Sequence, residues 1–159
     1  MHFLSLFASL QGSVQQHDLM EVLELNEKTR LYGLVLTPNE VQQLLVARTQ
    51  VLSSYGRVEL SIEITKDLIE LFSASPFLEQ EDYLDTLNDL HEVFYCLKNE
   101  TEDKISDRML LQMMKERYEE DCGGSMDLLK SRLEEYAEQF RRDLPSWEEG
   151  EEDEWKLNL

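Results

Sequence analysis

Three histidines and two cysteines are the side chains of this chain best suited to catalysis or metal binding, and their spacing limits what they can do. His91 and Cys96 stand five residues apart, whereas two ligands on one helix face need a spacing of three or four. A metal centre needs several convergent ligands, and neither His2 nor His17 has a partner pattern. Carboxylate-bridged di-metal bundles place Glu three residues ahead of His on two helices. Here Asn88 holds that position before His91, and Val14 holds it before His17. His91 therefore reads as a packed or boundary histidine, and no metal ligand is assigned. Cys122 precedes Gly123-Gly124 near a helix start, where a thiolate would be stabilised, but a helix–helix turn calls for the same glycines. No Gly-x-Ser-x-Gly elbow occurs, and neither cysteine lies in a catalytic signature. The six glycines form no Walker or dinucleotide fingerprint. No catalytic residue, cofactor-binding residue or cofactor is assigned.

The elements that would position these groups are helical. Six segments stand out by period and punctuation. The first spans about 14–25, with Leu19, Val22 and Leu23 on a partial stripe and Asn26 and Gly33 punctuating its end. Residues 1–13 form an N-terminal apolar segment, with a short helix as one reading because Phe3, Phe7 and Leu10 share a side. The second helix starts at Thr37-Pro38-Asn39-Glu40, a capping box with Pro at the first helical position. It carries Val41, Leu44, Leu45, Val51, Leu52 and Tyr55 and ends at Gly56. Val58, Leu60, Ile62 and Ile64 then alternate with Glu59, Ser61 and Glu63, the period of a strand. Residues 31–36 are also β-prone, so one short two-stranded ribbon of 31–36 with 58–64 is an alternative to an all-helical chain. Leu68, Ile69 and Phe72 fit a helix over 65–72. Ser75-Pro76 breaks the chain. The longest helix follows over about 79–98, with Tyr83, Leu84, Leu87, Leu90, His91, Phe94 and Leu97 as its stripe. Its acids, among them Glu81, Asp85 and Glu92, read as a solvated face. Ser106 caps a fifth helix with Leu110, Met113, Met114 and Arg117 on one face, widened by Met109 and Tyr118. Cys122-Gly123-Gly124-Ser125 turns the chain into a sixth with Leu129, Leu133, Tyr136, Ala137 and Phe140, stopped at Leu144-Pro145. The expected fold is mainly α, a compact multi-helix bundle of about six helices, with residues 14–143 as the helical domain and 144–159 as an acidic disordered tail.

Length and charge narrow the functional classes. At 159 residues the chain suits one domain with its own core. It carries 34 acids against 15 Lys and Arg, a net charge of −19. Residues 148–154 hold six acids in seven positions, a block that repels itself. The body without 144–159 still carries −14, because that tail holds six acids and Lys156, so the acidity belongs to the whole protein. Such a balance excludes general nucleic-acid binding, which needs Lys and Arg to neutralise phosphate, and docking on an anionic membrane. No apolar run approaches the length of a membrane span, and the N-terminal run lacks a basic leader. Two cysteines are too few for a disulfide framework. The chain is expected to be soluble and cytoplasmic, and the sequon at Asn99 then has no meaning.

Two features point to interaction. Met109, Met113 and Met114 cluster at helical spacing, and Met surfaces adapt to varied partners. Ordinary core filling is the simpler account of them. Trp147 and Trp155 flank the acidic block, a mixture found in disordered binding segments. A solubilising tail explains it as well.

Asn26-Glu27-Lys28-Thr29-Arg30, Leu36-Thr37-Pro38, Gly56-Arg57-Val58-Glu59, Ser75-Pro76, Phe94-Tyr95-Cys96-Leu97-Lys98-Asn99-Glu100 and Cys122-Gly123-Gly124-Ser125 are the segments that carry a family likeness. Over roughly 14–142 the chain resembles a family of uncharacterised small helical proteins from Firmicutes, a domain of unknown function. The resemblance implies a bacterial cytoplasmic protein and assigns no activity or site residue. The leading reading is a non-enzymatic protein–protein interaction or adaptor domain, with a protein partner and no direct contact to nucleic acid or membrane. One alternative is an acidic regulator that mimics nucleic acid or antagonises a basic protein. The other is an enzyme with a divergent site drawn from His91, Glu100, Arg117 or Cys122. Oligomeric state and partner identity are not legible at this level.

Overall fold

Thr37 opens the best-capped helix as its motif requires. In the computed structural model, which describes residues 14–146, its hydroxyl accepts from the Glu40 amide at 3.1 Å, and Glu40 accepts from the Thr37 amide at 3.0 Å. We name the elements in chain order: α1 Gln16–Glu24, α2 Asn26–Thr29, α3 Pro38–Ser54, α4 Glu63–Ser73, α5 Tyr83–Glu100, α6 Asp107–Glu116, α7 Met126–Ser131 and α8 Leu133–Ser146. Short 3₁₀ turns at Arg30–Tyr32 and Gln80–Asp82 follow α2 and precede α5, and a π-helical turn at Arg117–Asp121 extends α6.

Helix α5 is the hub. It packs against α3, α4, α6, α7 and α8, which explains why burial spreads beyond its expected stripe. Val93, Tyr95 and Lys98 are buried together with Tyr83, Leu87, Leu90, His91, Phe94 and Leu97. A helix covered nearly all round must satisfy its polar side chains internally. Lys98 does so by donating to the Ile105 carbonyl at 2.6 Å and pairing with Asp107 at 2.6 Å. Ser106 and Ser125 cap α6 and α7 as expected, accepting from the Met109 and Leu128 amides. Gly56 adopts φ 66° at the end of α3.

Two expectations need correction, and one alternative falls away. The sixth helix is two, because the chain breaks at Arg132, which leaves helical geometry at φ −104°, ψ 6°. Helix α8 then continues past Leu144-Pro145 and ends at Ser146, one residue beyond the proline. The alternative ribbon is not formed, and no strand occurs among the described residues. Side-chain amides take the place of a partner strand beside 31–36. Asn26 accepts from the Leu36 amide at 2.9 Å and donates to its carbonyl at 2.8 Å. Gln80 does the same for Val35, at 2.8 and 2.9 Å. With these backbone groups satisfied, nothing remains to recruit residues 58–64 as a second strand. The N-terminal segment 1–13 and the tail from Trp147 onward lie outside the described residues.

The turn after the π segment gives a stability prediction. Gly124 has φ 82°, and a Cβ there would lie 2.3 Å from Cγ and 2.4 Å from Cβ of Phe77. Those are atoms near the Phe77 backbone, so rotation of the ring does not clear them. Gly123, at φ 54°, has open space around it. Chemical denaturation should show Gly124→Ala costing about 2 kcal/mol or more, and Gly123→Ala about 1 kcal/mol from left-handed strain alone. Equal costs would mean that Phe77 moves aside freely.

Candidate functional site

Arg48 lies on the apolar stripe of α3, one turn from Leu44 and Leu52, and is buried with them. Its guanidinium therefore needs acceptors inside the fold. Nη2 donates to the Glu59 carbonyl at 2.9 Å and to the Ser61 carbonyl at 2.7 Å, which pins the segment between α3 and α4. Two polar side chains along it, Arg57 and Glu59, turn inward. The Tyr95 hydroxyl donates to Glu59 Oε1 at 2.7 Å. Arg57 donates to Asn99 Oδ1 at 2.6 Å and to Asp103 Oδ1 at 2.7 Å, and lies 5.7 Å from the Tyr95 ring centroid. The Arg57 hydrogen bond holds the Asp103 carboxyl below its ordinary pKa and Arg57 itself above its own. Burial, then the Glu59 hydrogen bond, pushes the Tyr95 phenol up.

The side chains of Val58 and Leu60 point the other way. Val58 is 88% exposed and Leu60 is 94% exposed. The alternation seen in the sequence is real, but over 57–60 its sense is inverted, whereas over 61–64 Ser61 and Glu63 are exposed and Ile62 and Ile64 are buried. Arg57 and Glu59 turn toward the protein, because Asn99, Asp103 and Tyr95 supply their partners, and Val58 and Leu60 face solvent. The half-buried strand expected over 58–64 is thus a pinned loop as far as Ile62 and the first turn of α4 from Glu63, with Ile62 and Ile64 in the core. The signal available in the sequence is a cation, Arg48, on an otherwise apolar helix stripe.

Leu60 stands at one end of a seam between α4 and α6. A recess of about 310 Å³ lies there, lined by Glu59, Leu60, Glu63, Asp67 and Asp107 among others. A second, of about 500 Å³, shares Asp67 and is lined also by Glu70, Leu71, Arg108, Leu111 and Gln112. A third, of about 360 Å³, shares Leu71 and Gln112 and reaches Lys115, Glu116, Glu119 and Glu120. The three share residues in succession and form one groove. Ile64 and Leu111 are buried beneath it and Leu71 is partly buried, so the floor is apolar, and the rims carry carboxylates beside the cations Arg108 and Lys115. Glu63, Glu70, Asp107 and Glu119 are held by Lys66, Lys28, Lys98 and Lys115. Asp67, Glu116 and Glu120 make no ion pair with a described lysine. Desolvation, followed by the charges of Glu63, Glu70 and Asp107, raises the pKa of Asp67.

The residues singled out for chemistry are not brought together. His91 is 1% exposed in the middle of α5, between Thr65 and the Leu87 carbonyl. Cys122 is buried with its sulfur 3.7 Å from the Tyr136 hydroxyl. Arg117 pairs with Asp121 and lies over the Tyr136 ring, and Glu100 pairs with Arg141. None of these four lines the groove. Both thiols are unbridged, and burial raises the pKa of Cys96. Among the methionines, Met114 is in the core, while Met109 and Met113 are partly buried against it. Trp147 and Trp155 lie outside the described residues. No three His, Cys, Asp or Glu side chains converge to hold a metal ion among the described residues. None of the described helices is long and apolar enough to cross a membrane.

A family model described as a family of unknown function, DUF6323, matches residues 21–146. The chain belongs to this family. The match begins within α1 and ends at the last residue of α8, so the pinned loop, the groove and the buried His91 all lie inside the DUF6323 region. No curated protein and no solved structure matches the chain.

Proposed function

We propose that this DUF6323 chain is a non-enzymatic protein-interaction domain that docks a partner on the face formed by the 57–61 loop, α4 and α6. The observation that carries the reading is the inverted loop. A loop held by two charge-assisted bonds from Arg48 presents Val58 and Leu60 almost wholly to water. Single exposed aliphatics are ordinary, but these two are adjacent in alternation, fixed in place and continuous with an apolar-floored groove. A pre-ordered surface loses less conformational entropy on binding than a mobile one. We place its action in the cytoplasm of a bacterium, supported by the family likeness and the unbridged Cys96 and Cys122.

The test is affinity capture from lysate of the source organism with the full chain and a Val58→Ser/Leu60→Ser variant. Exposed positions make the substitutions nearly neutral for stability, within about 0.5 kcal/mol each, and a denaturation curve checks this. A protein captured by the native chain should be lost with the variant. Identical capture by both, or no specific capture by the native chain, would overturn the proposal.

A further inference from the structure

We infer that the groove between α4 and α6 receives a basic amphipathic helix, its aliphatic stripe on the Leu71–Leu111 floor and its Lys or Arg side chains on the carboxylate rims. The inference rests on the interaction reading above and names the chemistry of the partner.

Shape sets the first condition. The three recesses join into a trough running from Asp107 to Glu120 along α6 and its π-helical extension. Thirteen steps at about 1.5 Å make it roughly 20 Å long, the length of a helix of about 14 residues. A trough between two helices, with an apolar floor and polar rims, fits the helix-in-groove mode of recognition. Leu60 closes one end as an exposed aliphatic stop.

Charge sets the second. Asp67, Glu116 and Glu120 stand on the rims without a lysine partner among the described residues, spread over the length of the trough rather than gathered at one end. Asp67 is raised in pKa first by desolvation and then by the carboxylates of Glu63, Glu70 and Asp107, so like charges already crowd this rim. A cationic segment relieves that repulsion, and an acidic one adds to it. Complementarity of this kind selects the partner and speeds encounter more than it adds affinity.

The probe is a fluorescently labelled peptide of about 14 residues with a Leu stripe at i, i+3, i+4 and i+7 flanked by Lys. Its twin carries Glu in place of Lys. Because the whole chain is acidic, two triple variants of equal net charge are compared. One is Asp67→Lys/Glu116→Lys/Glu120→Lys in the groove. The other is Glu81→Lys/Asp85→Lys/Glu138→Lys, at exposed positions that line none of the three recesses. The native chain should bind the Lys peptide and not the Glu twin, more weakly as salt rises. The groove variant should lose at least tenfold in affinity and the control variant less than threefold. Equal losses in the two variants would mean attraction to net charge alone and would overturn the inference, as would no binding of the Lys peptide. The Val58→Ser/Leu60→Ser capture separates the two readings. Capture that needs the loop but is indifferent to groove reversal leaves the interaction domain standing and removes the basic helix.

Discussion

On acidification from above pH 6.5 to about pH 4, the native protein should lose roughly 3 kcal/mol more stability than a His91→Gln variant. The reason is a neutral imidazole in a closed site. The Leu87 carbonyl can only accept, so Nδ1 carries the proton donated across 2.7 Å, and Nε2 accepts from the Thr65 hydroxyl at 2.8 Å. Burial lowers the pKa of His91 from 6.5 to about 4, opposed by the Leu87 hydrogen bond and reinforced by the Arg48 charge. The unfolded chain takes up its proton near pH 6.5 and the folded chain near 4. Stability is therefore complete above 6.5, falls through the window between the two values, and levels off below it. A gap of about 2.5 pH units at about 1.36 kcal/mol each gives the magnitude. Many carboxylates titrate in the same range, but they do so in both proteins, so the difference between two stability–pH curves isolates the histidine. Urea denaturation across that window provides the curves. Parallel curves would mean that His91 is protonated inside the fold and that the assigned hydrogen bonds are wrong. The glutamine substitution itself should lower stability at neutral pH, which shifts the variant's whole curve and leaves its slope readable.

Replacing Arg48 with Met should cost about 3 kcal/mol and release the 57–61 loop. Met keeps most of the aliphatic stem against Leu44 and Leu52 but has no donor. Two charge-assisted bonds, to the carbonyls of Glu59 and Ser61, are lost, each contributing about 1.5–3 kcal/mol. Part of that loss is offset, because the freed carbonyls reach water and a buried cation with an unpartnered Nε is removed. Stability is one readout. Hydrogen exchange or limited proteolysis is the other, and both should accelerate at 57–61 while α5 stays protected. The two predictions are linked. Arg48 depresses the His91 pKa, so Arg48→Met should also shallow the acid-induced loss of stability. A cost below about 1 kcal/mol, with an unchanged loop, would remove Arg48 as the pin of the proposed docking face.

Much of this architecture is local and legible. The Thr37-Pro38-Asn39-Glu40 box, the Ser106 and Ser125 caps, the left-handed Gly56 and the stripes of α3 and α5 depend on contacts within a few residues, and each forms where its motif stands. His91 reads as packed because its spacing offers no second ligand, and it is packed. The ribbon alternative fails at both of its segments for one cause. Period-two alternation at 58–64 and β-prone composition at 31–36 state a preference for extended backbone, not its partner. That choice falls to Asn26, Gln80 and Arg48, side chains ten or more residues away whose amide and guanidinium groups reach the backbone first. The candidate site is illegible for the same reason. Nothing in the order of residues says that Glu59 turns inward to Tyr95, leaving Val58 and Leu60 in water. Helices, their caps and the excess of negative charge follow from composition and from neighbours along the chain, so reading the residues in order is enough to find them. Which side of the 57–61 loop is wet, and which carboxylates meet along the α4–α6 groove, depend on long-range pairing in which distant side chains compete for the same polar groups, and that competition is resolved only when the helices pack.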